Sequence, residues 1–263
     1  MMLRIIVVFF VLATSVALCD EPDKELHEKC LYPTIMITSN DQKSIGTGVI
    51  VKCVKKNEQY ENYAFTCSHV LVPVNKILII SLNSKISPVI IDPIKEKYEM
   101  FVRIGVYENW STLVGYKEYP CEVVVNNQEK DIALIKFRTK IQSSVADVEK
   151  NPKVYIGSHV CRVGCGMNEP FRLDFGQITS LKDSIGTVVK GTYRVNVPTI
   201  MGDSGGPVYN GNKLFGLVQS VRSVRSVRSV QTSSVSIPIS HMVYVVPIKN
   251  FYDSEKIVEH LKD

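Results

Sequence analysis

Long apolar runs are almost missing from this 263-residue chain. The one present, Ile5 to Leu18, is shorter than the ~20 residues a membrane helix needs, and no other stretch is long and apolar enough to span a bilayer. Helical periodicity is scarce too, so short strands separated by turns must supply the core, and a sheet built by strand and helix alternation is excluded. A strong charge of one sign is also lacking: the formal net charge of +5 is modest and makes no case for nucleic acid as a partner. Metal-ligand patterns are absent as well. Cys161-x3-Cys165 has no companion histidine or cysteine motif, so neither a metal nor a cofactor is expected.

The amino terminus carries a different signal. Met1-Met2-Leu3-Arg4 is a short basic start, Ile5 to Leu18 an apolar centre, and Ala17 and Cys19 are small residues placed for cleavage before Asp20. Residues 1–19 therefore read as a signal peptide, and the mature chain is expected to be secreted or periplasmic, free of the membrane once the leader is removed. The alternative is an uncleaved anchor, while a lipoprotein at Cys19 is disfavoured by the bulky Leu18 before it. Loss of Cys19 leaves Cys30, Cys53, Cys67, Cys121, Cys161 and Cys165. Six cysteines allow fifteen connectivities, and buried free thiols are the other possibility.

Strand-like runs follow at Thr34 to Ile37, Gly46 to Val54, Lys76 to Ile80 and Lys213 to Val218. Ile257, Val258 and Leu261 mark one face of a short terminal helix starting near Asn250 or Asp253.

The chemistry concentrates at Gly202-Asp203-Ser204-Gly205-Gly206-Pro207-Val208. Three glycines in five positions permit left-handed backbone and close approach to a ligand, and small neighbours leave the Ser204 hydroxyl unobstructed. Main-chain N–H groups around such a serine are suited to bind a developing oxyanion. The bland reading is a Gly-Pro turn between strands. A serine is a weak nucleophile without a base and an orienting acid. His69 ends the apolar run Ala64-Phe65-Thr66-Cys67-Ser68 and is expected at a strand edge, while Asp131 opens Ile132-Ala133-Leu134-Ile135 at the mouth of a strand. Taken singly, each reads as an ordinary surface histidine or turn aspartate.

In the order His, Asp, Ser, these three segments resemble the trypsin-like, chymotrypsin-fold serine peptidases. The resemblance covers roughly residues 33 to 250 and includes Gly46-Thr47-Gly48-Val49 and Gly216-Leu217-Val218. It implies an all-β fold of two six-stranded antiparallel barrels with a short C-terminal helix. The expected divisions are an N-terminal segment 20–32, a first barrel about 33–140, a second about 150–247, and the helix within 248–263, forming a stand-alone catalytic unit. It implies a secreted serine endopeptidase in which His69, Asp131 and Ser204 form the triad and the N–H groups of Gly202 and Ser204 the oxyanion hole. Protein or peptide substrates, no nucleic acid and a monomeric state are expected.

Four further readings rest on the same resemblance. The primary pocket maps to Pro198, Thr199, Gln219 and Val221. Pro198 stands where trypsins carry an acid, which suggests a shallow apolar pocket. The family's Ile-Val-Gly-Gly activation terminus is absent, so Asp203 must find another partner than a new amine. Thr-Cys-Ser-His-Val and Val245-Val246-Pro247-Ile248 look closer to high-temperature-requirement-like members. Finally, a polar hairpin tip at Lys55 to Asn62 could set Cys53 opposite Cys67, where the family commonly has a disulfide.

The threefold Ser-Val-Arg run from Ser220 reads as an expanded flexible loop, with a basic rim beside the cleft as the functional alternative. Asn109-Trp110-Ser111 is a glycosylation acceptor if the host is eukaryotic. The rival from another class is a homologue that keeps the barrels for binding and does not hydrolyse.

Overall fold

The computed structural model describes residues 24–39, 44–71, 78–82, 85–89, 99–166, 169–185, 189–221, 228–232, 235–239 and 243–262. The expected signal peptide and most of the Ser-Val-Arg run lie outside them. The described chain opens with a short helix α1 (Lys24–Leu26) that runs into a π-helical turn, His27–Leu31.

Strands β1 (Thr34–Ser39), β2 (Ser44–Lys56) and β3 (Gln59–Thr66) start the first barrel, followed by helix α2 (Ser68–Leu71) and a separate hairpin of β4 (Leu78–Leu82) and β5 (Lys85–Val89). Strands β6 (Met100–Glu108), β7 (Thr112–Asn127) and β8 (Ile132–Thr139) complete it, closing in the order β1-β2-β3-β8-β7-β6. The β6–β7 turn carries Asn109 and Trp110 at φ 47° and 69°, which puts the acceptor tripeptide on an exposed tip.

The second barrel uses β10 (His159–Gly164), β11 (Arg172–Ile185), β12 (Val189–Val195), β13 (Pro207–Asn210), β14 (Lys213–Val221) and β17 (Val243–Pro247). They pair in the order β13-β10-β11-β12-β17-β14, and β13 also pairs with β14, so the ring closes. A two-residue strand β9 (Asp147–Val148) joins β14 in parallel. Closure leaves neither barrel with an open edge strand to manage. Both barrels are therefore six-stranded and antiparallel, as the resemblance implied.

Strand β15 (Arg228–Thr232) pairs antiparallel with β16 (Val235–Ile239), with Val230 opposite Ile237. This corrects the expectation of a structureless loop for the end of the Ser-Val-Arg run. The repeat there leads into Val230-Gln231-Thr232, and β-branched residues on both arms favour extended pairing over the three-residue period. The chain ends in α3 (Lys249–Tyr252) and α4 (Glu255–Leu261), bracketing the expected helix start. No helix among the described residues is long and apolar enough to cross a membrane.

Alternation along single strands builds three cores at once. On β8, Ile135 and Phe137 point into the first barrel with Ile35, Ile50 and Val102, whereas Ile132 and Leu134 point outward to the junction between barrels. On the other side, Phe215, Val218 and Val245 fill the second barrel, and Leu217 and Val246 join the junction. Phe251 of α3 packs on Phe65 in a tilted arrangement with ring centroids 4.4 Å apart, and Ile257 of α4 is fully buried there. The terminal helices thus seal the seam along which the two barrels meet.

One charged group is buried in the first barrel wall. Glu61 on β3 accepts from Lys56 Nζ and Tyr63 Oη at 2.6 Å each, and Arg138 on the neighbouring strand approaches to 3.7 Å. Burial pushes the carboxyl up, but the hydrogen bonds and the charges of Lys56 and Lys136 outweigh it and hold the group below the ordinary glutamate value. A depressed carboxyl adds stability above its unfolded value and loses it as pH falls through the folded one. Glu61→Gln is expected to cost about 1–2 kcal/mol at neutral pH. In urea titrations the difference from wild type should shrink as the solution is acidified, and a constant difference would contradict the assignment.

Candidate functional site

His69 does not sit at a strand edge. It lies on the one-turn helix α2, three residues beyond the last pairing of β3, and is exposed. Ser68 before it is buried and donates to Asn126 Oδ1 of β7, which pins the turn to the barrel.

Asp131 is reached through a tight turn from β7. Asn127 Oδ1 accepts the Lys130 N–H at 3.0 Å, and Asp131 itself has φ 53°, in the left-handed region that aspartate tolerates better than most residues. Such strain in a non-glycine residue costs about 1–3 kcal/mol and persists where surrounding structure holds it. Here the holding contacts are with His69. Both Asp131 oxygens lie 2.9 Å from Nδ1, and Oδ1 also accepts the His69 main-chain N–H at 3.0 Å. A carboxylate accepts only, so Nδ1 carries the proton and Nε2 is left with its lone pair. That is the tautomer a general base requires.

Ser204 lies on the second barrel, yet its main chain is held by the first. Thr47 N–H of β2 donates to Ser204 O at 2.8 Å, Thr47 Oγ1 donates to Gly202 O at 2.9 Å, and Gly205 N–H donates to Val218 O at 2.7 Å. Gly205 has φ 81°, and a Cβ there would fall 2.1 Å from Thr47 O and 3.2 Å from Cys67 N, so only glycine lets the serine turn press against the strand that leads to His69. His69 and Asp131 are paired on the first barrel, and the serine turn is tied to β2 of that barrel through Thr47. The Ser204 hydroxyl is turned toward Gln219 O, at 3.5 Å, and not hydrogen-bonded to His69. Catalytic hydrogen bonds in unliganded enzymes are often loose and tighten when substrate binds.

The turn Ile200–Asp203 closes through Asp203 N–H to Ile200 O at 3.2 Å, with Gly202 at φ 97°. Its anchor is Asp203, whose carboxylate is fully buried. Oδ2 accepts from Ile200 N–H at 2.8 Å and Oδ1 from Gly166 N–H at 3.0 Å. Arg162 Nη1 of β10 lies 2.8 Å from Oδ2, and Arg172 Nη2 donates to the same oxygen at 3.2 Å. Arg162 is itself fully buried and also pairs with Asp174. A Cβ at Gly164 would fall 2.3 Å from Arg162 Nη1 and 2.4 Å from Asp203 Oδ1, so that glycine makes room for the pair. The partner that Asp203 needed in place of a new terminal amine is an internal arginine.

Sequence reading missed Arg162, although an arginine inside His159-Val160-Cys161-Arg162-Val163 was a visible sign of a buried charge. Of the expected pocket, Thr199 is buried with its hydroxyl on Val197 O, Pro198 is half-buried beside it, and Gln219 is buried next to Ser204 with Oε1 unpartnered. Val221 lies at the end of β14, opposite Val243.

The disulfide expectation fails on register. Cys53 of β2 faces Asn62, and Cys67 lies two residues past Phe65, whose partner is Val49, so the hairpin does not bring the two sulfurs together. Cys53 and Cys67 are both free thiols. Cys67 is fully buried, with Sγ donating to Val218 O at 3.3 Å.

Comparison with solved structures agrees with this architecture. The protease domain of MamO from Magnetospirillum magneticum, in its apo form, superposes with a TM-score of 0.55 at 17% identity, covering 88% of this chain and 97% of that one. The HtrA-type protease AlgW with a decapeptide superposes at 0.60 and 12% identity, covering 90% of this chain and 67% of AlgW. The same protease with a tripeptide gives 0.59 at 15% identity, covering 92% and 65%. These likenesses are of fold. A search of curated proteins finds no match. At the level of sequence, the family described as "Trypsin-like peptidase domain" matches residues 46–217, a span that holds His69, Asp131 and Ser204 and well over half of the chain. The chain therefore belongs to the trypsin-like peptidase domain family.

Proposed function

We propose that this protein is an exported serine endopeptidase that cleaves peptide bonds through an acyl-enzyme. The observation that carries the reading is the His69–Asp131 pairing beside a serine turn whose main chain is tied to the same barrel. Ser204 Oγ attacks the scissile carbonyl as His69 Nε2 takes its proton and then returns it to the leaving amine. Water enters, His69 deprotonates it, and the ester is hydrolysed to free Ser204. Asp131 fixes the tautomer and stabilises the imidazolium. Tetrahedral oxyanions are received by the N–H groups of Gly202 and Ser204, each worth roughly 3–4 kcal/mol in the transition state.

Peptide substrates are supported by the peptide complexes of the AlgW relative. Export is supported by the leader-like start of the sequence, and the mature enzyme is taken to act as a monomer. Pro198, Thr199, Gln219 and Val221 line the primary pocket in this reading.

The second reading, a binding protein that keeps the barrels without hydrolysis, has one observation in its favour: the Ser204 hydroxyl donates to Gln219 O and not to His69. A fluorophosphonate probe separates the two. Stoichiometric labelling at Ser204, abolished by His69→Ala, is the expected result. Absence of labelling in the folded wild-type protein would favour the binding reading.

A further inference from the structure

Cys67 gives the candidate site a third potential ligand. Its Sγ, a ring nitrogen of His69 and a carboxylate oxygen of Asp131 all lie within 4.8 Å of one another, so a point exists no more than about 2.8 Å from all three. Zinc bonds run ~2.3 Å to sulfur, ~2.0–2.1 Å to imidazole nitrogen and ~2.0–2.2 Å to carboxylate oxygen. Small side-chain adjustments therefore close the gap. We propose that Cys67, His69 and Asp131 form an inhibitory binding site for a thiophilic divalent cation such as Zn2+. The inference rests on the peptidase reading for its consequence, inhibition, but not for the binding itself.

The donor set argues for the class of ion. One sulfur, one imidazole and one carboxylate make a borderline-soft site that suits zinc and leaves its fourth position for water, whereas magnesium and calcium take oxygen ligands. No metal motif is visible along the chain because these ligands come from different parts of the fold: Cys67 and His69 flank the start of α2, and Asp131 lies 62 residues from His69.

Access is from the His69 side, while burial and the Asp131 charge hold the Cys67 thiol well above its ordinary value, so the cation must displace a proton to bind. Cys67 and most of Asp131 are buried, but the His69 side chain is 47% exposed and forms the solvent side of the cluster. On binding, the Cys67 thiol gives its proton to solvent, its hydrogen bond to Val218 O is lost, and the thiolate and carboxylate together neutralise the ion. Whichever ring nitrogen binds, catalysis stops. At Nε2 the cation occupies the lone pair the base needs, and at Nδ1 it displaces the proton held by Asp131.

Cobalt(II) reports on the site directly, because a thiolate ligand gives a near-ultraviolet charge-transfer band. Titration of the wild-type chain is expected to give this band with one equivalent of cobalt, bleached by Zn2+. The band should vanish in Cys67→Ala and in the volume-conserving Cys67→Ser, while His69→Ala should weaken binding at least tenfold. In parallel, Zn2+ should slow fluorophosphonate labelling of Ser204, with a chelator restoring it. The inhibition constant, taken relative to each variant's own uninhibited rate, should rise at least tenfold in Cys67→Ser. No band in the wild type, an equal band in both Cys67 variants, or an unchanged inhibition constant overturns the proposal. A Cys67-dependent band in a protein that no probe labels upholds the cation site and sinks the peptidase reading instead.

Discussion

Ser204→Ala is expected to lower kcat about a million-fold toward a cleaved peptide, and His69→Ala by about as much, with the double variant little worse than either. In the proposed mechanism hydroxyl and imidazole act as one unit: without the base the serine stays protonated, and without the serine the base has no nucleophile to activate. Residual turnover would come from the oxyanion donors and binding alone, roughly a thousand-fold or more above water. Asp131→Asn is expected to fall by about ten-thousand-fold, since an amide in its place favours the wrong histidine tautomer. Neither Ser204→Ala nor His69→Ala should unfold the protein, as Ser204 holds its neighbours through main-chain bonds and His69 is exposed. The check is single-turnover kinetics alongside urea unfolding. Additive losses in the double variant, or near-normal cleavage by Ser204→Ala, would show that the two groups do not work together.

The fold was legible where local patterning and barrel geometry coincide. Ile132 to Phe137 is a continuous apolar run because β8 faces one core with each side, and the Gly202–Gly206 run announced a backbone that only glycine could follow. The order His, Asp, Ser was likewise readable, because each residue lies in a segment of marked composition within three residues of a strand. Three things were not. The helix at Ser68–Leu71 has no helical period to detect in four residues. The register of the β2–β3 hairpin is set by its two-residue turn, with Lys56 opposite Gln59, and this is what places Cys53 opposite Asn62 and away from Cys67. The ligand of Asp203 depends on how β10 packs under the serine turn, a contact between residues 41 apart in sequence that no spacing rule reveals.

That last contact carries the second large effect. Arg162→Met leaves the Asp203 carboxylate buried with only Arg172 and two main-chain donors, and losing one partner of a buried pair costs about 3–5 kcal/mol. The carboxylate also receives the N–H groups of Ile200 and Gly166, so its displacement should release the turn that presents Gly202. The expected kinetic signature is a fall of about a hundred- to a thousand-fold in kcat, the size of one lost oxyanion donor, with KM changed far less. Stability and catalysis can be separated by adding Asp203→Asn, which removes the orphaned charge. The double variant Arg162→Met/Asp203→Asn should regain much of the lost unfolding free energy and still turn over slowly, because an amide oxygen cannot hold both N–H groups as the two carboxylate oxygens do. If kcat recovered in step with stability, Arg162 would be a fold-stabilising residue only. If kcat stayed low while the fold returned, the buried arginine would be the positioning group that keeps the serine turn ready without a cleaved amino terminus.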